Sequence, residues 1–415
     1  MSARTTLAGM LLLLALAPGG ASDRAFSAEG APAFDPGLVA KGAELSAIGN
    51  CATCHTSRDG RPFAGGLPLP TSFGTIYSTN ITPDLETGIG RWSAADFERA
   101  MREGVDRAGR DLYPAFPYDH FTRLTEDDIA ALYAFIMTRE PVRAEVPPNE
   151  LRFPAGLRPA IAVWKALYFR PGVYRPDASK SPQWNRGAYL VEGLAHCGAC
   201  HTPRNALGAE NRAQALGGGE AGDWHATSLS ASSPAPVRWT ADELFDYLRH
   251  GREQQHGLAA GPMASVTHNL AGVPAEDVRA IAFYVASLMP GEAAARPAAN
   301  AERTASAEGA QIYAGACASC HDPLATVPSP RPVPLGLTTS LNAPDPRNAI
   351  HIVLEGIWPE DGEKGALMPG FAAGLTEAQV AALVDHLRAR FTDRPAWRDV
   401  PERVAAIRKA LQEQR

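Results

Sequence analysis

Apolar residues return at spacings of three and four in three separate stretches of this chain. Ile129, Leu132 and Ile136 make one stripe, Val278, Ile281, Val285 and Leu288 a second, and Val380, Leu383, Val384 and Leu387 a third. Such spacing gives a helix one apolar face. Thr125 and Thr376 stand where the first and third helices need an N-cap. Ahead of each lies a shorter helical stretch that stops at glycine. Ser93 opens the first and Gly104 closes it. Thr240 with Glu243 forms a capping box for the second, which stops at Gly251, and the third runs from about Asp345 to Gly356. Earlier still, each stretch has a helix with a Gly-Ala pair: Gly42-Ala43, Gly187-Ala188 and Gly309-Ala310. The bare glycine there lets a second helix approach closely. The pattern predicts an all-α chain of three tandem small domains, at residues 34–145, 183–290 and 304–394.

The remaining segments read as connections. Residues 146–182 are proline-rich and loop-like, apart from a short helix near 161–169, and residues 291–303 look like an extended tether. Residues 395–415 hold a helix with Val400, Val404, Ile407 and Leu411 on one side and Arg403, Arg408 and Lys409 elsewhere. Capping its own domain is the simpler use of that stripe; contact with a membrane surface or a partner subunit is the other. Residues 1–21 read as a secretory signal: Arg4, an apolar run over 7–17, then Gly19-Gly20-Ala21. The run is too short to span about 30 Å of hydrocarbon.

Composition narrows the class. The chain has 415 residues, of which 45% are hydrophobic and 20% charged, which suits folded domains rather than disorder. A net charge of −6 lacks the basic footprint of a nucleic-acid binder, so no such partner is expected.

The cysteines bring in the chemistry. All six fall in three runs, Cys51-Ala-Thr-Cys54-His55, Cys197-Gly-Ala-Cys200-His201 and Cys317-Ala-Ser-Cys320-His321. C-x-x-C-H is the attachment sequence of c-type haem. Two thiols three positions apart reach the two vinyl groups of one porphyrin, and the next histidine meets the iron from the proximal side. Disulfides would explain an even count in an exported chain, but not a histidine after every pair. With 11 histidines in 415 residues, three such coincidences are roughly a one-in-10⁴–10⁵ event. A closed zinc site needs two more ligands at short spacing, and no two motifs lie close in sequence. The expected cofactors are three covalently bound haems c, with Cys51, Cys54, Cys197, Cys200, Cys317 and Cys320 as attachment points and His55, His201 and His321 as proximal iron ligands.

Distal ligands are sought among the methionines. Met263 in Gly-Pro-Met263-Ala and Met368 in Leu-Met368-Pro-Gly stand in Gly/Pro-rich stretches shortly before the last helix of their domains. A loop there crosses the distal face, so both are expected as axial ligands. Met101, Met137 and Met289 fall within or at the ends of helices and read as packing residues. The first domain has Phe116 at the corresponding place, and phenylalanine cannot bind iron. Either His120 swings in as distal ligand of the first haem, or that position stays open. Both outcomes give this haem a lower potential than a methionine-ligated one.

Several longer stretches carry a family resemblance. Tyr77-Ser-Thr-Asn80-Ile-Thr-Pro-Asp84, Leu112-Tyr-Pro-Ala-Phe-Pro-Tyr118, and Trp184-Asn-Arg-Gly-Ala-Tyr-Leu190 leading to His196-Cys-Gly-Ala-Cys-His-Thr-Pro-Arg204 resemble the tri-haem cytochrome c subunits of membrane-associated bacterial dehydrogenases. The likeness covers about residues 34–395 and is least distinctive in the last domain. It implies three cytochrome c-like domains, each wrapped around one haem. It also implies an electron-transfer subunit without dehydrogenase activity of its own and without catalytic residues. Electrons would come from a catalytic dehydrogenase subunit and leave to ubiquinone or another terminal acceptor. The implied setting is periplasmic, at the outer face of the inner membrane with peripheral membrane association. Subunits serving quinoprotein alcohol dehydrogenases usually carry methionine where Phe116 stands. The Phe-Pro-Tyr-Asp-His variant looks more like cytochromes paired with molybdenum hydroxylases that oxidise aldehydes or N-heterocycles. Alternatives are a PQQ-dependent alcohol dehydrogenase, a flavoprotein sugar or gluconate dehydrogenase, or, in another class, a peroxidase-like enzyme using an open site on the first haem.

Overall fold

The computed structural model describes residues 34–57, 60–289, 305–322, 334–358 and 367–413. The expected signal segment and the tether at 291–303 lie outside these residues. In the first repeat, α1 (Pro36–Ile48) starts on Asp35, whose carboxylate accepts from the Leu38 amide. Asn50 in the left-handed region (φ 51°) then turns the chain into α2 (Cys51–His55). A hairpin of β1 (Pro68–Thr71) and β2 (Gly74–Tyr77) follows. Ser93 and Asp96 cap each other at the start of α3 (Ala94–Glu103), and Gly104, at φ 63°, ends it. The short α4 (Tyr118–Phe121) leads to α5 (Glu126–Met137), capped by Thr125.

The stretch read as a linker is bound to the first repeat. β3 (Glu150–Leu151) adds to β2 in antiparallel register. From α6 (Arg158–Tyr168), Lys165 pairs with Asp111 at 2.6 Å, and the Tyr174 amide donates to the Arg123 carbonyl. Local sequence reads as proline-rich loop because these partners are far away in the chain.

The second repeat runs α7 (Pro182–Tyr189), a π-helical turn (Leu190–Leu194), α8 (Gly198–His201) and a hairpin of β4 (Gly219–Ala221) and β5 (Trp224–Ala226). Thr240 and Glu243 form the expected capping box on α9 (Ala241–His250). A small hairpin of β6 (Arg252–Glu253) and β7 (Gly257–Leu258), α10 (Pro262–Ala271) and α11 (Ala275–Leu288) complete it. The third repeat has α12 (Ala307–Ile312), another π-helical turn (Tyr313–Cys317), α13 (Ala318–His321), α14 (Thr339–Asn342), α15 (Arg347–Glu355) and α16 (Glu377–Phe391). The last helix is α17 (Val400–Glu413). The fold is all-α in class, with short antiparallel hairpins between helices.

The Gly-Ala pairs mark one crossing made three times. A Cβ on Gly42 would lie 2.0 Å from the Ala131 carbonyl oxygen of α5. Gly187 stands the same way to Ala280 of α11 at 2.0 Å, and Gly309 to Ala382 of α16 at 2.1 Å. First and last helices therefore pack backbone to backbone. The first two repeats share a single core, in which Leu45, Ile48 and Leu132 meet Leu190, Leu194 and Ile281. The third has its own core, which includes Val404 and Ile407 of α17. Arg408 of that helix donates to the carbonyls of Ala372 and Leu375, both at 2.7 Å. The tail helix thus caps its own repeat. The β4–β5 hairpin reaches α15: Trp224 stacks on His351 at 4.6 Å, and Asn348 bonds both backbone groups of His225.

Candidate haem sites

Each motif histidine stands at the end of a short helix, and two are oriented by a backbone carbonyl. His55 Nδ1 lies 2.7 Å from the Thr79 oxygen, and His201 Nδ1 lies 2.6 Å from the Thr227 oxygen. A carbonyl only accepts, so Nδ1 carries the proton and Nε2 keeps its lone pair, the arrangement a metal-binding imidazole needs. Burial pulls both imidazoles below the usual histidine range, opposed by these same bonds. Both are thereby held neutral. His321 Nδ1 is buried with no partner among the described residues.

The loop that supplies the Thr79 carbonyl is the Tyr77–Asp84 stretch. The Ser78 hydroxyl accepts from the Leu67 amide, Asn80 donates to the Val142 carbonyl at 2.7 Å, and Asp84 accepts from Thr87. Asn80 and Thr82 are buried, so the loop is held by its own polar groups rather than by apolar packing. A string of Ser, Thr, Asn and Asp suits that task.

All six cysteines are unpaired thiols. Among the described residues, no motif cysteine joins a cluster of three metal-type ligands. Burial pushes the Cys51 thiol up to about 11, Cys197 up to about 12 and Cys317 up to about 11. Such thiols sit in apolar surroundings, which suit the edge of a porphyrin. Cys54 is raised first by burial and then by Cys200, so the first two motifs lie side by side. The same junction has His196 Nε2 donating to the Gly49 carbonyl at 3.2 Å. Asn269 there donates to Asn50 at 2.8 Å and to Thr53 at 3.0 Å. The protein groups at the first two motifs fit a covalently held haem, with free thiols in pairs and neutral, oriented imidazoles, and the third offers the same thiols and histidine without an orienting carbonyl.

The methionines differ in burial and in the elements that carry them. Met101, Met137 and Met289 are buried in the cores. Met368 is partly buried and pairs through its backbone with Ile357. Met263 lies in the first turn of α10 rather than in a loop. Pro262 just before it has the backbone angle a helix start requires, and Gly261 at φ 54° makes the turn into it.

His120, one of the two alternatives for the first haem, is held by polar partners. Its Nδ1 bonds the Glu192 carbonyl at 2.9 Å and its Nε2 bonds Glu210 at 2.8 Å, so neither nitrogen is left for an iron. Burial works against its charge, but Glu210, Asp119 and the Glu192 carbonyl outweigh it and raise its pKa. The ring faces the second motif, 2.9 Å from where a Cβ on Gly198 would be, and not the first. The reason lies two residues earlier. Tyr118 packs into the space left by Gly104, 2.3 Å from a Cβ placed there, and this turns α4 toward the second repeat. Phe116 packs on Phe121 at 5.3 Å. Sequence reading missed Glu210 and Glu192 because only the folded chain brings them to His120.

The structure thus has paired thiols and oriented histidines on a helical frame, and comparison with other proteins gives that frame a family. The cytochrome c family model matches residues 39–140 and 306–390. A nicotinate dehydrogenase subunit of Pseudomonas putida is 45% identical over 92% of this chain, which spans 33% of that longer protein. The fructose dehydrogenase cytochrome subunit of Gluconobacter japonicus is 37% identical over 85% of this chain and 79% of its own length. The gluconate 2-dehydrogenase cytochrome c subunit of Pantoea cypripedii is 37% identical over 90% of both. No helix among the described residues is long and apolar enough to cross a membrane. This chain belongs to the family of dehydrogenase cytochrome c subunits.

Proposed function

We propose that this chain carries three covalent haems c and relays electrons from a catalytic dehydrogenase subunit to ubiquinone or the respiratory chain. The observation that carries this reading is the pair of motif histidines, His55 and His201, each fixed by a carbonyl with Nε2 free beside two unpaired thiols. Bound haem supplies a one-electron iron couple. The chain's own residues do the rest. Cys51, Cys54, Cys197, Cys200, Cys317 and Cys320 hold the rings, and His55, His201 and His321 bind on the proximal side. Met263 and Met368 supply thioethers that raise the potentials of the second and third sites. The domains are 34–145, 183–290 and 304–394. The nearness of Cys54 to Cys200 makes the first two sites a closely coupled pair.

The favoured partner is a molybdenum hydroxylase acting on aldehydes or N-heterocycles. Support comes from the higher identity to the nicotinate dehydrogenase subunit than to the fructose and gluconate subunits, and from Phe116. A quinoprotein alcohol dehydrogenase or a flavoprotein partner is the alternative. The setting is the periplasm, at the outer face of the inner membrane. The purified chain is expected to oxidise no substrate, and to be reduced only when its catalytic partner and that partner's substrate are both present. Substrate oxidation by the chain alone would overturn the relay.

One observation favours a second reading. With His120 bonded to Glu192 and Glu210 and Phe116 unable to bind iron, His55 would be the first site's protein ligand, and the described residues offer no second one at Phe116. An open position is where a peroxidase-like activity would reside. A high-spin component that shifts on adding cyanide is expected from this geometry. Turnover of peroxide would favour the enzyme; binding without turnover would favour the relay.

A further inference from the structure

The first two repeats treat a matching pair of carboxylates differently. In the first, Asp96 at the capping position of α3 has Arg99 at 3.2 Å and Arg107 at 3.9 Å, and Asp106 beyond Gly104 has Arg110 at 2.7 Å. In the second, Glu243 holds the same capping position on α9, and Glu253 the same place beyond Gly251. Among the described residues, no lysine or arginine is within ion-pair distance of either. Asp246 stands where Arg99 would be, and Gln254 where Arg107 would be.

What faces these carboxylates is a histidine. The His256 side chain is 0% exposed and neither ring nitrogen has a hydrogen-bond partner. Trp239 stacks on the ring at 3.5 Å and 13°, which fixes its plane. His256 Nε2 lies 3.6 Å from Glu243 Oε2, and one donor atom from each of Glu243, Glu253 and His256 falls within 4.8 Å of the others. Leaving a buried polar group unpaired is costly, so native proteins rarely do it without a reason. Burial also lowers the imidazole's proton affinity, which keeps a lone pair on it.

We propose that Glu243, Glu253 and His256 bind a divalent transition-metal cation of the zinc type. Such an ion supplies the positive charge that arginines supply in the first repeat, and it takes the imidazole lone pair. One nitrogen and two carboxylates suit zinc. Glu243 accepts from the Thr240 amide, the Thr240 hydroxyl and Gln255 Nε2. A carboxylate has about four acceptor positions; the two Thr240 donors fill Oε2 and Gln255 takes one place on Oε1, so the position left for the metal is on Oε1. Gln255 thereby orients a ligand from behind, as outer partners of metal sites do. The other carboxylate–histidine cluster, Asp119, His120 and Glu210, needs no ion, because both nitrogens of His120 are already bonded. The proposed site closes the β6–β7 hairpin, whose exit leads to Met263.

The test uses the full haem-loaded chain, stripped with a chelator and titrated with Zn²⁺ by calorimetry and by metal analysis after desalting. One Zn²⁺ per chain is expected, with affinity falling about tenfold or more in Glu253→Gln and in His256→Gln. Asp106→Asn, the matching change in the first repeat, is expected to leave Zn²⁺ binding intact. Unchanged visible spectra in the variants show that they remain folded. No retained Zn²⁺, or equal retention by the Glu253 and His256 variants, would overturn the proposal.

Discussion

At the scale of residues, a side chain's chemistry is set by what folding brings to it. Three histidines follow C-x-x-C, and their role is legible because the motif is local. His120 shows the opposite. Its partners Glu192 and Glu210 are 72 and 90 positions away, and no local pattern names them. The methionines lie between these cases. Met101 is buried in the core, whereas Met368 is only partly buried beside Ile357. Potentiometric titration separates their roles. Met368→Leu is expected to lower one midpoint potential by tens of millivolts or more, each 59 mV being about 1.4 kcal/mol for one electron. Met101→Leu, a core swap of similar volume, is expected to leave all potentials in place and cost less than about 1.5 kcal/mol of stability. A shift from both variants, or from neither, would contradict the assignment.

At the scale of elements, local chemistry is the reliable guide. Ser93, Thr125, Thr240 and Thr376 cap the helices expected of them, because a cap needs only its own next three residues. The helix at Met263 is hidden in the sequence because a Gly-Pro pair reads as a loop even when it starts a helix. The docked stretch at 146–182 is hidden because its bonds are to distant residues. The glycine crossings are legible as small residues, and the structure adds how small they must be. Gly187→Ala puts a methyl 2.0 Å from the Ala280 oxygen, so α7 and α11 must separate. A loss of about 1–3 kcal/mol or more is expected in chemical unfolding. Gly374→Ala meets nothing within 4 Å and is expected to change stability little. Equal effects from the two would show that the crossing is not what requires glycine.

At the scale of the whole molecule, the repeats are joined in two different ways. The first and second share an apolar core, which no repeat pattern reveals, while the third meets the second through polar contacts around Trp224 and His351. His351 lies between Asp223 at 3.4 Å and Glu355 at 2.5 Å. Burial opposes its charge, but the two carboxylates, Glu355 through a hydrogen bond and Asp223 through its nearby charge, outweigh this and raise its pKa to about 9. Because the folded value exceeds the ordinary one of about 6.5, the stabilisation is complete below that pH and is lost as pH rises through about 9. The thermal midpoint should therefore fall more steeply above neutral pH in the natural chain than in His351→Gln. Parallel pH profiles would contradict this.

The relay depends on how many porphyrins the chain holds, since the family model covers the first and third repeats while the second motif stands on its own residues. Intact-mass spectrometry of the denatured native protein measures this directly. The expected result is the chain mass plus three haems, falling by one haem when Cys197 and Cys200 are both replaced by serine. Two haems in the natural chain, or an unchanged mass in that double variant, would contradict it.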